Sequence, residues 1–230
     1  GGGVVGVGVA GGGGAVAWRR VGGGGGGGGG GPVQAVTVDH GRRAEAADEA
    51  RFVARLCDRM GLAHTTLRWA GWNGTGNLSA AARDARYGLM AGWARARGVD
   101  TIALGHTADD QAETVLMRLG RGSGVDGLAA MAQHSRRDGV QWVRPLLRVR
   151  RQVLRDHLTA IGQGWIDDPS NDEDRYDRVK ARRALDALAP LGLSVERLAA
   201  TADRMRMARG ALDGLAAQAL RDGARVDGGD

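Results

Sequence analysis

The chain reads as an α/β protein, a doubly wound parallel sheet with a C-terminal α-helical extension. Three observations predict it. Short β-rich runs at Val4 to Val9, Val33 to Val38, Ala63 to Trp69 and Thr101 to Leu104 alternate with helical spacing over 44–60, 78–97 and 107–119. Strands joined by helical crossovers lie parallel, and the helices then cover both faces of the sheet. Glycines stand where the helices stop, at Gly61 and Gly98, and at Gly105 where a strand turns into the next helix.

Each element follows from its residues. Val4, Val5, Val7 and Val9 interleave with glycine as a buried strand that runs into Gly11, Gly12, Gly13 and Gly14. A strand that ends in a glycine loop is a phosphate-site signal, weak by itself. Residues 22–31 are ten consecutive glycines; at about 1 kcal/mol per glycine against alanine, a helix there would cost about 10 kcal/mol. Natural linkers mix in serine or charge, so this run reads in part as positions whose side chains are unassigned. The second run ends at Asp39, His40 and Gly41. Ala46, Ala50, Val53, Leu56 and Met60 then repeat at helical spacing, and after the turn-rich Gly71 to Gly76 an Ala/Arg helix extends to Gly98. Beyond residue 121 come a glycine-rich loop, a short strand near Val140 to Val143, and helices around 150–161, 173–189 and 194–220. The expected division is a nucleotide-binding domain over 1–135 and a mainly helical extension over 136–230.

Composition narrows the classes. Among 230 residues, 32 are basic and 26 acidic, and 31 of the basic residues are arginine, Lys180 being the exception. Guanidinium forks match phosphates, so this balance favours a polyanionic partner. The single cysteine, Cys57, excludes an internal disulfide and a four-thiolate zinc site, and fits a reducing compartment. No run of about 18 apolar residues exists, which argues against a membrane span.

Chemistry concentrates where the strands end, at 10–15, 39–43 and 105–110, because ligands of doubly wound sheets bind there. On a wheel of about 100° per residue, Ala108, Ala112, Val115, Leu116 and Leu119 share one side, and His106, Asp110, Glu113 and Met117 share the other. Asp110 and Glu113, one turn apart, could hold Mg²⁺ through water or grip an amine; the plain alternative is a solvated face. A zinc triad with His106 lacks a further fixed ligand. Asp39 could instead cap the helix beginning near Ala44. Arg144, Arg148, Arg150, Arg151 and Arg155 are uninterrupted by any acidic residue and make a phosphate-contact set, whereas Arg175, Arg178, Lys180, Arg182 and Arg183 lie just downstream of Asp172, Glu173 and Asp174, with Asp177 among them.

Together, VDHGR at 38–42, GNLSAAARDARY at 76–87, LGHTADDQAETVLMRLGRGSGVDG at 104–127, RPLL at 144–147 and WIDDPSN at 165–171 closely resemble the bacterial tRNA(Ile)-lysidine synthetase family, a branch of the N-type ATP pyrophosphatases with an adenine nucleotide alpha hydrolase-like, Rossmann-like fold. The resemblance spans about residues 4 to 205. It implies a cytoplasmic carbon–nitrogen ligase that uses ATP and Mg²⁺, free L-lysine and an isoleucine tRNA with a CAU anticodon, as a homodimer. ATP adenylates the 2-oxo group of the wobble cytidine, and the lysine ε-amine displaces AMP. By this resemblance Asp110 and Glu113 handle the lysine ammonium or a metal, and Arg86 and His106 reach the same crevice. The nucleotide would meet the 10–15 loop, Asp39, His40 and Gly105, and Arg178 and Arg182 would meet nucleotide or tRNA phosphates, alongside Arg144, Arg148 and Arg151 on the tRNA. One departure stands out. The family's SGGxDS loop aligns with Ala10, Gly11, Gly12, Gly13, Gly14 and Ala15, which lack both hydroxyls and the aspartate. The alternatives are a catalytically impaired tRNA-binding homologue and a related tRNA thiolase, the latter disfavoured by the lone cysteine.

Overall fold

The computed structural model describes residues 4–9, 33–39, 44–72, 75–76, 78–165 and 177–223. Six strands form one sheet: β1 (Val4–Val9), β2 (Gln34–Asp39), β3 (Ala63–Arg68), β4 (Val99–Leu104), β5 (His134–Arg137) and β6 (Val140–Val143), in spatial order β3-β2-β1-β4-β6-β5. All neighbours are parallel except the β5–β6 pair. The helices are α1 (Ala44–Arg59), α2 (Leu78–Ala96), α3 (Ala108–Leu119), α4 (Val125–Leu128), α5 (Arg151–Ala160), α6 (Asp177–Leu188) and α7 (Val195–Gly223). The sequence-predicted β-α alternation is therefore the observed one. The chain winds outward from β1 to β2 and β3, then returns to place β4 on β1's other side, where Gly8 pairs with Leu104. That reversal puts the switch point, where doubly wound folds bind ligands, at the ends of β1 and β4.

The described residues cluster into two compact units, 1–107 with 133–171, and 108–132 with 172–230. This division differs from a cut at residue 135. β6 pairs with β4 through Thr101↔Gln141 and Ala103↔Val143, so the segment expected to begin a helical extension completes the sheet. α3 meanwhile packs with α4, α6 and α7.

In the sheet unit, α2 is built from alanines and long apolar residues that favour helix. It buries Met90, Ala91, Trp93 and Ala94 against Val36, Val99, Ile102, Leu104, Val140 and Trp142. Gly61 and Gly98 close α1 and α2 with φ of +63° and +65°, a conformation that costs other residues about 1 kcal/mol. The β5–β6 hairpin, absent from the sequence reading, turns on Asp138 and Gly139 at φ of +54° and +77°, the left-handed pair that suits a two-residue hairpin.

In the helical unit, Ala112 and Val115 pack on Leu185, Leu198 and Ala202. Leu119, assigned to the same apolar face, is 54% exposed, because the helix ends there and leaves its partners behind. Among the described residues no helix is long and apolar enough to cross a membrane.

Candidate active site

The candidate residues of the helical unit are set by α3. Its sequence, ADDQAETVLMRL, brings Asp110 and Glu113 onto one side at a spacing of three, and α6 answers with Arg178 and Arg182 at a spacing of four. Arg182 Nε donates to Glu113 Oε1 at 3.2 Å, and Arg178 Nη1 donates to Asp110 Oδ1 at 3.4 Å. The two pairs differ in setting. Glu113 is 1% exposed and Asp110 14%, while Arg182 and Arg178 keep 34% and 43% of their side chains in solvent. A carboxylate as buried as Glu113 needs a counter-charge, and Arg182 supplies it.

This corrects the sequence reading in two ways. Glu113 does not lie on an open or solvated face; the packing of α6 against α3 covers it. Arg178 and Arg182, expected on phosphates, are engaged with these carboxylates. The metal assignment to Asp110 and Glu113 does not fit either. Two guanidiniums already balance the two carboxylates, so a divalent cation gains little there. Among the described residues no three His, Cys, Asp or Glu side chains gather as a metal site.

A residue that sequence reasoning missed fixes α3 in place. Gln111, 2% exposed, donates from Nε2 to the Met131 carbonyl at 2.8 Å and accepts from the Met131 N–H at 2.9 Å. Its amide thus satisfies one backbone residue as a neighbouring strand would. Arg206 Nη2 from α7 also reaches the Met131 carbonyl, at 3.0 Å. A glutamine beside two acidic residues carries no signal of this in sequence, because its partner is 20 residues away.

In the sheet unit, Asp39 ends β2 at 8% exposure, its carboxylate 3.8 Å from Arg68 Nε and its carbonyl accepting from the Trp69 N–H. It is a strand residue five positions before α1, so it does not cap that helix. Gly105 and His106 follow β4 and are half-buried; His106 precedes α3 rather than lying on it. Arg86 is half-buried on α2, its guanidinium carbon 5.8 Å from the centroid of the Tyr87 ring. Ala10, Gly11, Gly12, Gly13, Gly14, Ala15 and His40 lie outside the described residues.

Arg144 requires a correction. It is 6% exposed, and its guanidinium donates to the Tyr87 hydroxyl and Ser135 Oγ, both at 3.2 Å. An arginine spent on the interior is not a surface phosphate contact. Arg148 is exposed, and Arg151 half-buried at the start of α5.

Curated relatives include proteins called tRNA(Ile)-lysidine synthase from Ruegeria pomeroyi, 58% identical over 84% of this chain and 46% of its own length, and from Bradyrhizobium diazoefficiens, 47% identical over 82% of this chain and 51% of its own. The chain spans about half the length of these relatives. A solved structure of the U34-tRNA thiolase of Methanococcus maripaludis with its 4Fe-4S cluster superposes with a TM-score of 0.72 at 15% identity, covering 88% of this chain and 71% of that one, a likeness of fold. A family model described as the PP-loop domain matches residues 5–188, four-fifths of the chain. With that match, the six-stranded sheet and its switch point at β1 and β4, the chain belongs to the PP-loop family.

Proposed function

We propose that this chain carries the catalytic part of an ATP-dependent tRNA(Ile)-lysidine synthetase. The observation that carries the reading is the likeness to relatives bearing that name over more than four-fifths of the chain. In the reaction, the 2-oxo group of the wobble cytidine attacks the α-phosphorus of ATP and pyrophosphate leaves. The ε-amine of lysine then adds to C2 of the cytosine, the carbon that bears the adenylated oxygen, and loses a proton, and the C2–O bond breaks so that AMP leaves with that oxygen. Adenylation turns a poor leaving oxygen into a good one.

The sheet unit would hold the nucleotide at its switch point, with backbone N–H groups after β1 around the phosphates and Asp39 at the end of β2. On the helical unit, Asp110 is the carboxylate a substrate ammonium can reach, being the more exposed of the two. Glu113 fixes α6 to α3 through Arg182. Mg²⁺ would accompany the ATP phosphates rather than the arginine-paired carboxylates of α3.

The thiolase reading fits less well. Cys57 is the chain's single cysteine; it is buried on α1, and burial pushes its thiol above the usual value, opposite to what a sulfur carrier needs.

The test is transfer of labelled lysine from solution to isoleucine tRNA with a CAU anticodon, using a chain carrying Ala10→Ser, Gly14→Asp and Ala15→Ser. ATP-dependent incorporation matched by pyrophosphate release is expected, with much less from the unaltered chain. No incorporation, with the same tRNA gaining sulfur instead, would overturn the assignment.

A further inference from the structure

Two departures from ideal local structure meet at one turn of the helical unit. Ala130 takes a φ of +50°, a left-handed conformation that alanine rarely adopts, and Arg206 Nε is buried with no hydrogen-bond partner among the described residues. One arrangement holds both. Arg206, on α7, donates from Nη2 to the Ala129 carbonyl at 3.2 Å and to the Met131 carbonyl at 3.0 Å, and its Nη1 is paired with Asp203. With Ala130 turned left-handed between them, both carbonyls reach the same nitrogen. Met131 is also gripped from α3, where Gln111 Nε2 donates to its carbonyl and Gln111 Oε1 accepts from its N–H. The turn is buried at Ala129 and Met131, and Ala130 packs on the cluster of Ala112, Val115, Leu185, Leu198 and Ala202.

This turn therefore joins α7 to the first turn of α3. On its other side α3 is tied to α6, through Asp110–Arg178 and Glu113–Arg182. Gln111 is the residue next to Asp110, so a clamp on one fixes the direction of the other. A side-chain end stands about 5–6 Å from a helix axis, and a rotation of about 10° moves it by about 1 Å. A shift of that size costs about a hundredfold in a reaction that depends on placement. Strained backbone persists where surrounding contacts over-determine it, and it clusters at active sites. Resting on the reading of lysidine formation above, in which Asp110 receives the lysine ammonium, we propose that Gln111 and Arg206 are positioning residues for that step. Acting through Met131, they set the rotation of α3 and so the place where the Asp110 carboxylate meets the substrate. Neither touches the substrate itself.

The test separates positioning from stability in the chain carrying Ala10→Ser, Gly14→Asp and Ala15→Ser. Arg206→Met and Gln111→Leu should lower kcat/KM for lysine by about 10- to 100-fold, with KM for ATP unchanged. Arg206→Lys, which keeps a donor for the carbonyls, should recover part of that loss, and it carries the comparison if Arg206→Met does not fold. Leu158→Ala truncates a buried side chain of the sheet unit, and should lower Tm at least as far with kcat/KM for lysine unchanged. Amide exchange reads the clamp without turnover. Exchange at Ala112 to Val115 should quicken by about tenfold or more in Arg206→Met, as the loss of a hydrogen bond from a charged group requires. A kcat/KM for lysine within about twofold of the loop-restored parent in Arg206→Met, an equal loss in Leu158→Ala, or unchanged exchange in α3 would overturn the proposal. A loop-restored parent that incorporates no lysine would instead overturn the lysidine reading and the role of Asp110 with it; quickened exchange would then leave the clamp as a structural contact only.

Discussion

Glu113→Gln and Asp110→Asn probe the same helix one turn apart, and the structure separates their effects. Both substitutions keep shape and remove charge. Glu113 is 1% exposed and its bond to Arg182 is charge-assisted at 3.2 Å. Removing one partner of a buried pair costs about 3–5 kcal/mol, and losing a hydrogen bond to a charged group about 1.5–3 kcal/mol. Arg182 keeps 34% of its side chain in water, so its stranded charge is partly solvated. The expected loss for Glu113→Gln is therefore about 2–3 kcal/mol. For Asp110→Asn the pair is longer, 3.4 Å, and Arg178 is 43% exposed, so the loss is about 0.5–1 kcal/mol. At about 2–4 °C per kcal/mol for a chain of this size, Tm falls by about 4–12 °C for the first and about 1–4 °C for the second. Urea unfolding followed by circular dichroism, in a double-mutant cycle with Arg182→Met, measures the coupling directly. Loss of less than about 0.5 kcal/mol for Glu113→Gln, or additive effects in the cycle, would refute the buried pair. Turnover adds the second half. In the chain carrying Ala10→Ser, Gly14→Asp and Ala15→Ser, Asp110→Asn should abolish lysine incorporation with the fold nearly unchanged, and turnover within about twofold of that loop-restored parent would remove Asp110 from the site.

Two further outcomes follow from named residues. Arg148→Ala combined with Arg151→Ala should shallow the salt dependence of tRNA binding by about one unit per lost phosphate contact, while Arg144→Ala should chiefly destabilise the sheet unit; a Tm unchanged by Arg144→Ala would contradict its interior role. Burial lowers the pKa of His64, whose Nε2 lies 2.9 Å from Thr37 Oγ1. The unfolded chain then binds the proton more readily, so stability contributed by neutral His64 is present above about pH 6.5 and falls as pH drops from there through the depressed folded value. Urea midpoints compared above and below that pH should show a smaller acid loss in His64→Gln, and an identical loss would assign the effect elsewhere.

Local order was legible along the chain, and its assembly was not. Period-two valines, alanine-rich helical spacing and the stops at Gly61 and Gly98 announced the parallel α/β winding, because each depends on residues within one turn or one strand of each other. The Asp138-Gly139 signal for the β5–β6 hairpin was equally local and could have been read; the charged residues around it, His134 to Arg137, masked the strand. The same wheel that put Asp110 and Glu113 on one side of α3 could not say what covers that side. Arg182 lies 69 residues downstream of Glu113, and only the packing of α6 on α3 turns a surface carboxylate into a buried ion pair. Arg144 makes the same point in reverse. Uninterrupted arginines look like a phosphate-binding run, but Tyr87, 57 residues upstream, draws the first of them into the interior. Periodicity fixes which residues share a face. What that face meets depends on contacts between distant segments, and burial, which decides whether a charge is solvated, paired or free for a ligand, exists only once those segments have packed.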